Sequence, residues 1–260
     1  MSAVSLHSIS IGQGPPILIL HGFLGMGDNW KTVGNFLAEH NYEIHLIDQR
    51  NHGRSPHTPE FSYDLLVEDL LRYIQERNLP KVILLGHSMG GKTVMEFACL
   101  YPDLVKSLIV VDIAPITYPR HHDEILNALR SIDFSNYESR GEVERALGEK
   151  ISNRAVCMFL MKNVHRKTEG RYELRINLDS LIDNYDEIGK ALSSDRTYSG
   201  PTLFIRGDKS KYIQEKDFHQ IAFHFPKSNV VTIPGAGHWI HAEAYSQFTV
   251  QLLRFLTQNP

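Results

Sequence analysis

The chain has 260 residues, 42% apolar and 22% charged, the composition of a folded globular protein and not of a disordered one. Lys and Arg number 27 against 30 Asp and Glu, and the net charge of −3 advertises neither a nucleic-acid surface nor an acidic tail. The two cysteines, Cys99 and Cys157, are too few and too widely spaced for a disulfide framework or a zinc cluster.

From the N-terminus, the first thirty residues carry no Lys or Arg and no long apolar stretch, so no secretory signal is expected. Nowhere does the chain approach the roughly 18 apolar residues of a membrane-spanning helix. The expectation is a soluble, cytoplasmic, monomeric protein without a membrane span.

Short apolar runs then recur: Ile17–Leu20, Ile44–Asp48, Val82–Leu85, Leu108–Asp112, Leu203–Arg206 and Val230–Ile233. Runs this short, without polar alternation, predict strands buried on both faces. Helical spacing separates the early ones, through Trp30, Val33 and Leu37, then Leu66, Leu70 and Ile74, then Val94, Met95 and Ala98. Strand–helix–strand alternation of this kind predicts a mostly parallel central sheet flanked by helices.

The rhythm breaks between Pro115 and Gly200. Helical patterns continue there (Ile125 with Leu129; Val156 with Phe159 and Leu160), with one short strand around Tyr172–Asn177. An interval of about 85 residues is too long for a plain loop and should form a helical lid. The division is therefore a core of residues 1–114 and 200–260, and a lid or cap insertion of residues 115–199.

Chemistry concentrates where the third predicted strand meets its helix. Gly86-His87-Ser88-Met89-Gly90 spells G-x-S-x-G. A serine on a tight strand-to-helix turn projects its hydroxyl, and glycines at ±2 keep Cβ atoms out of the bend. Gly86 through Thr93 also spells the phosphate-cradling G-x-x-x-x-G-K-T, and Leu108–Asp112 could supply a magnesium-binding carboxylate. A phosphate loop makes no use of a late histidine, whereas a serine nucleophile needs one. His238, in Gly235-Ala236-Gly237-His238 beyond the last strand, supplies it, and the serine reading prevails. Lys92 is then a solvated side chain, and His87 should point to the other side of the turn.

The third partner must accept a hydrogen bond from the imidazole. Asp112 and Asp208 both stand at strand ends. In sheets of this kind the acid lies three residues beyond the glycine of the later strand, a place held here by Ser210, which carries no charge. Asp112 is preferred and Asp208 stays a candidate. For the oxyanion, the Met89 backbone N–H and one from the His21-Gly22-Phe23 turn, that of Phe23, are the expected donors. The polar Asp48–Ser55 turn is read as architecture beside the site. Phe159, Leu160 and Met161 are expected to line an acyl pocket or to pack the lid. Lys162, His165, Arg166, Lys167 and Arg171 form a basic run that could meet phosphates. His121-His122-Asp123 lacks regular ligand spacing, so no metal is expected.

Taken in order, His21-Gly22, the Asp48–Ser55 turn, Gly86–Gly90 and Gly237-His238 resemble the motifs of serine hydrolases of the α/β-hydrolase superfamily. More narrowly the chain is similar to the bacterial YbfF-type esterases. That match rests on Asp48–Ser55, Gly86–Lys92, Val111–Pro115, Gly237–Glu243, Phe159–Asn163 and Asn177-Leu178. The resemblance implies an α/β-hydrolase fold and hydrolysis of a small-molecule acyl ester or thioester, acyl-CoA included, with no cofactor. It also implies the acid at Asp112, because the later strand end in that family often lacks a carboxylate; this chain has Asp208 there, which keeps both open. The same side chains on the same fold could serve a carbon–carbon bond hydrolase or a lyase, or a ligand receptor of slow turnover.

Overall fold

Runs such as Ile17-Leu18-Ile19-Leu20 put apolar side chains on both faces of an extended backbone, so both faces must be covered. The computed structural model, which describes residues 2–167 and 169–259, meets that demand with helices on either side of one sheet. The chain opens with β1 (Ser8–Ile11), β2 (Pro16–Leu20), α1 (Lys31–Glu39) and β3 (Glu43–Ile47). It continues through α2 (Tyr63–Glu76), β4 (Val82–His87), α3 (Met89–Leu100) and β5 (Val105–Val111). Next come α4 (Asp123–Arg130), α5 (Arg140–Lys150), α6 (Arg154–Met161), β6 (Val164–Arg166), β7 (Tyr172–Leu174), α7 (Leu178–Asp183) and α8 (Tyr185–Ile188). The core resumes with β8 (Thr202–Gly207), α9 (Phe218–His224), β9 (Ser228–Ile233), α10 (Ile240–Glu243) and α11 (Tyr245–Gln258).

The seven-stranded sheet has the order β1-β3-β2-β4-β5-β8-β9. β1 runs antiparallel to β3 and every other pair is parallel. Alternation sorts the strand residues into two buried layers. Leu18, Leu20, Leu84 and Leu108 pack with Leu70 of α2, Val94 of α3 and Ile221 of α9. Ile17, Ile19, Ile83 and Ile109 pack with Val33 and Leu37 of α1 and Phe248 and Leu252 of α11.

The segment between β5 and β8 builds a third apolar cluster. Leu126, Leu129, Val143, Leu147, Leu160 and Leu181 meet Phe23, Leu24 and Met89 of the core. Those three core residues follow β2 and β4, so the inserted segment sits against the carboxyl ends of the strands, where sheets of this kind hold their ligands. Two strands were not legible. Ser8-Ile9-Ser10-Ile11 alternates polar with apolar because it is a half-buried antiparallel edge strand. β6 is three residues long and pairs only with β7. Among the described residues no helix is long and apolar enough to cross a membrane.

Candidate active site

Ser88 is the single residue between β4 and α3, and its backbone is strained, with φ 53° and ψ −119°. The turn closes only because its neighbours lack side chains. A Cβ on Gly86 would stand 2.3 Å from the Gly90 carbonyl oxygen, and one on Gly90 would stand 2.4 Å from that of Leu20. The Ser88 N–H donates to the Val111 carbonyl at 3.0 Å, fixing the turn against the end of β5.

The two candidate acids are separated by geometry. Asp112, one residue past β5, is fully buried, and its Oδ2 lies 2.7 Å from His238 Nδ1. The same oxygen accepts the Ser210 hydroxyl, and Oδ1 accepts the Gly207 N–H at 3.3 Å. Asp208 is exposed and accepts the Gly235 N–H at 2.7 Å, which makes it a turn cap. Ser210, at the place named for an acid in sequence, donates its hydroxyl to Asp112. Burial pushes the Asp112 carboxyl upward, and the hydrogens from Ser210 and Gly207 oppose it by favouring the carboxylate. Burial holds His238 down, to about 3, so its resting ring is neutral.

His238 is held on more than its edge. The Tyr212 ring stacks on it with centroids 4.0 Å apart and planes at 20°. His87 does not turn away from this region: its ring lies 4.6 Å from that of His238, and its Nε2 is 3.0 Å from the His238 carbonyl oxygen. Among the described residues no hydrogen bond joins the Ser88 hydroxyl to the imidazole. Tyr212 links the two, since it stacks on His238 and lines the same small cavity as Ser88. That cavity, about 20 Å³, has room for about one water molecule.

The β2 turn is built to orient one N–H. The Gly22 carbonyl accepts from the Gly25 N–H at 2.9 Å and from His21 Nδ1 at 2.8 Å. In a trans peptide the following N–H points the opposite way, so the Phe23 N–H is turned from those partners. The turn abuts the serine: a Cβ on Gly22 would lie 3.2 Å from Ser88 Cβ. Among the described residues neither the N–H of Phe23, in the turn after β2, nor that of Met89, the first residue of α3, donates to a protein acceptor. The polar turn braces this loop. Gln49 N–H donates to His21 Nε2 at 3.0 Å, and the Gln49 side chain donates to the His21 carbonyl at 2.7 Å. Gly27 N–H donates to Asp48 at 2.7 Å. Burial pushes His21 down to about 4, consistent with a neutral ring that donates at one nitrogen and accepts at the other.

One further expectation is corrected, and the remaining residues singled out in sequence take the following places. Lys92 is not solvated but 1% exposed, because the inserted segment covers α3 there. Its ammonium donates to the Ile116 carbonyl at 2.5 Å and the Lys190 carbonyl at 2.6 Å, and it lies 5.2 Å from the Tyr118 ring centroid. With that lysine engaged and Gly86 packed against Gly90, the loop offers no open phosphate cradle. Phe159, Leu160 and Met161 do not line the cavity at Ser88. Leu160 and Met161 are buried in the third cluster, and Phe159 packs on Trp239 at 5.4 Å. The cavity is lined instead by Phe23, Tyr118, His121, His122, Tyr185 and Tyr212. Of the basic run, His165 and Lys167 pair with Glu173, and Arg166 lies over Tyr172. His121 and His122 contact the hydroxyls of Tyr212 and Tyr185.

Comparison with known proteins agrees with this architecture. The family model described as alpha/beta hydrolase fold matches residues 15–139. A putative esterase/lipase of Haemophilus influenzae is 37% identical over 246 residues, 94% of this chain and 84% of that protein. Esterase YbfF of Escherichia coli is 33% identical over 242 residues, 93% of this chain and 92% of its own. A solved marine microorganism esterase superposes with a TM-score of 0.94 at 44% identity, covering 97% of this chain and all of that one, 100%. The chain belongs to the α/β-hydrolase family and, within it, resembles the YbfF-type esterases.

Proposed function

We propose that the protein hydrolyses carboxylic esters in two steps through an acyl-enzyme on Ser88, with His238 as base and Asp112 as its acid partner. The observation that carries this reading is the 2.7 Å contact between His238 Nδ1 and the buried Asp112, beside a serine held on a strained turn. With Nδ1–H committed to Asp112, Nε2 is left as the acceptor. Ser88 Oγ attacks the ester carbonyl as its proton passes to Nε2, and the Phe23 and Met89 amides take the oxyanion. The imidazolium then protonates the departing alkoxide. Water, deprotonated by the same nitrogen, attacks the acyl-enzyme and releases the acid, restoring Ser88. The Ser88–His238 hydrogen bond forms as substrate seats, in keeping with catalytic bonds that tighten only in the complex.

A cavity of about 20 Å³ cannot admit an acyl chain, so the inserted segment has to shift to let substrate in. The relatives named esterase or lipase support ester substrates for this chain. Thioesters, acyl-CoA included, fit the same chemistry. The test is a chain-length series of p-nitrophenyl esters and CoA thioesters with the wild type and Ser88→Ala. Turnover should vanish in the variant while its circular dichroism is unchanged; retained turnover overturns the reading. Preference for a 1,3-dicarbonyl substrate over every ester would favour the carbon–carbon bond hydrolase.

A further inference from the structure

The residue after the Phe23 oxyanion donor is Leu24, a bulky side chain in the left-handed region with φ 58°. Such a conformation persists only where its surroundings hold it. Both polar groups of Leu24 are held by side chains from remote parts of the chain. Its N–H donates to His52 Nε2 at 3.3 Å, and its carbonyl accepts from Asn163 Nδ2 at 2.8 Å. His52 belongs to the polar turn of the core; its Nδ1 is 2.9 Å from the Arg50 carbonyl, which leaves Nε2 as the acceptor. Asn163 belongs to the inserted segment, between α6 and β6, and is 1% exposed.

Asn163 is itself rigidly mounted. Its N–H donates to the Leu160 carbonyl at 2.9 Å, and its carbonyl accepts the Arg175 N–H at 2.8 Å. Arg140 of α5 donates to the carbonyls of Met161 and Val164 on either side, at 2.6 and 2.7 Å. Among the described residues the buried side-chain oxygen of Asn163 meets no hydrogen-bond partner. An unpaired buried oxygen is unfavourable, and a leucine of similar shape would avoid it. The amide at this position is therefore explained by the bond its nitrogen makes to Leu24.

We propose that Asn163 is a positioning residue for the oxyanion site, acting through Leu24 to tie the seating of the inserted segment to the pose of the Phe23 N–H. When the segment shifts to admit substrate, the Leu24 carbonyl loses its hold; when the segment returns, the donor is restored to its pose. The oxyanion site is thereby complete only in the closed arrangement that excludes bulk water. This inference rests on the reading of Phe23 as oxyanion donor and of Ser88 as nucleophile.

The test uses the full chain with Asn163→Leu and Asn163→Asp. It measures kcat and KM on p-nitrophenyl butyrate, and the rate of Ser88 phosphonylation by a small fluorophosphonate, whose addition also needs the oxyanion donors. For Asn163→Leu, kcat and the phosphonylation rate should fall together by about 10- to 100-fold, somewhat less than removal of a donor outright. KM should stay within about twofold. An unchanged kcat, or a loss carried wholly by KM, overturns the proposal. In Asn163→Asp the protonated acid can still donate to Leu24 and the carboxylate cannot. Its kcat relative to wild type should therefore fall as pH rises from 5 to 9, about as in a simple ionisation; a ratio independent of pH overturns the proposal, and this arm stands even if Asn163→Leu fails to fold. A wild type that resists phosphonylation would sink the Ser88 reading itself, a result distinct from normal labelling that Asn163→Leu does not slow.

Discussion

Tyr212 lies flat on the imidazole of His238, 4.0 Å between centroids, while its own hydroxyl sits 2.5 Å from Nε2 of His121 in the inserted segment. The Tyr212 N–H donates at 3.2 Å to the same Ser210 hydroxyl that donates to Asp112. One residue therefore touches the His238 imidazole directly, Asp112 through Ser210, and the covering segment through His121.

Removing the ring should free the imidazole to swing. Aromatic pairing contributes about 0.5–1.5 kcal/mol beyond burial, so Tyr212→Leu should lower kcat roughly two- to tenfold. Tyr212→Phe keeps the stack and should stay near wild type. Equal losses in the two variants would show that the hydroxyl, not the stacked face, matters.

Asp112→Asn should be far more damaging. With its oxygen kept on the Gly207 N–H, the amide turns its NH2 toward His238 Nδ1 and selects the tautomer protonated at Nε2, so by analogy with other triads kcat should fall by about 10³- to 10⁴-fold. Asp208→Asn, which alters only a turn cap, should keep kcat and lose at most about 1 kcal/mol of stability. Ser210→Ala lies between, because a hydrogen bond to a charged group contributes about 1.5–3 kcal/mol. A larger loss in Asp208→Asn than in Asp112→Asn would reverse the assignment.

Why Asp208 stayed open in sequence beside the preferred Asp112 is a matter of chain direction. Asp112 and Asp208 end neighbouring parallel strands, β5 and β8, and both follow apolar runs. Which carboxylate meets a histidine from the next loop depends on the left-handed turn at Asp112, φ 52°, and on how the β9 loop folds back. The strand-to-helix turn at Ser88 and the loop of His238 beyond β9 were legible because glycine spacing and strand ends mark them locally. Lys92 was misread because helical periodicity predicts which side of α3 faces the sheet, not which part a distant segment covers. Likewise nothing local in Phe159-Leu160-Met161 says whether apolar residues line a cavity or fill a core.

Lys92 ties the two ends of the inserted segment, at Ile116 and Lys190, to the helix that follows Ser88. Burial pushes its pKa down to about 7 from near 10.5, so the folded state resists holding the proton that the unfolded state keeps. The resulting destabilisation is full below about pH 7 and is relieved as pH rises toward 10.5. A neutral amine still has two hydrogens for two carbonyls. The wild type should thus gain Tm relative to Lys92→Met between pH 6.5 and 9.5; a constant difference would mean that Lys92 does not titrate in that window.

Acid should unfold the protein through its histidines. Burial holds His21 at about 4 and His52, His122 and His238 at about 3, with His87 and His241 also well below the ordinary value. Two of these cannot accept a second proton without conflict, since His21 Nε2 faces the Gln49 N–H and His52 Nε2 faces the Leu24 N–H. The unfolded chain binds those protons near pH 6.5, so the stability that the histidines contribute is full well above that value and drains away as pH falls through it. Urea unfolding at pH 8, 6.5 and 5 should show a loss of about 0.4 kcal/mol per buried histidine between the first two, where the unfolded rings are half protonated, and of about 2 kcal/mol each by the third. His52→Gln, whose side-chain oxygen can still accept the Leu24 N–H, should flatten that loss by one proton's worth. A stability profile level down to pH 4.5 would contradict the buried, neutral histidines on which the orientation of the oxyanion loop depends.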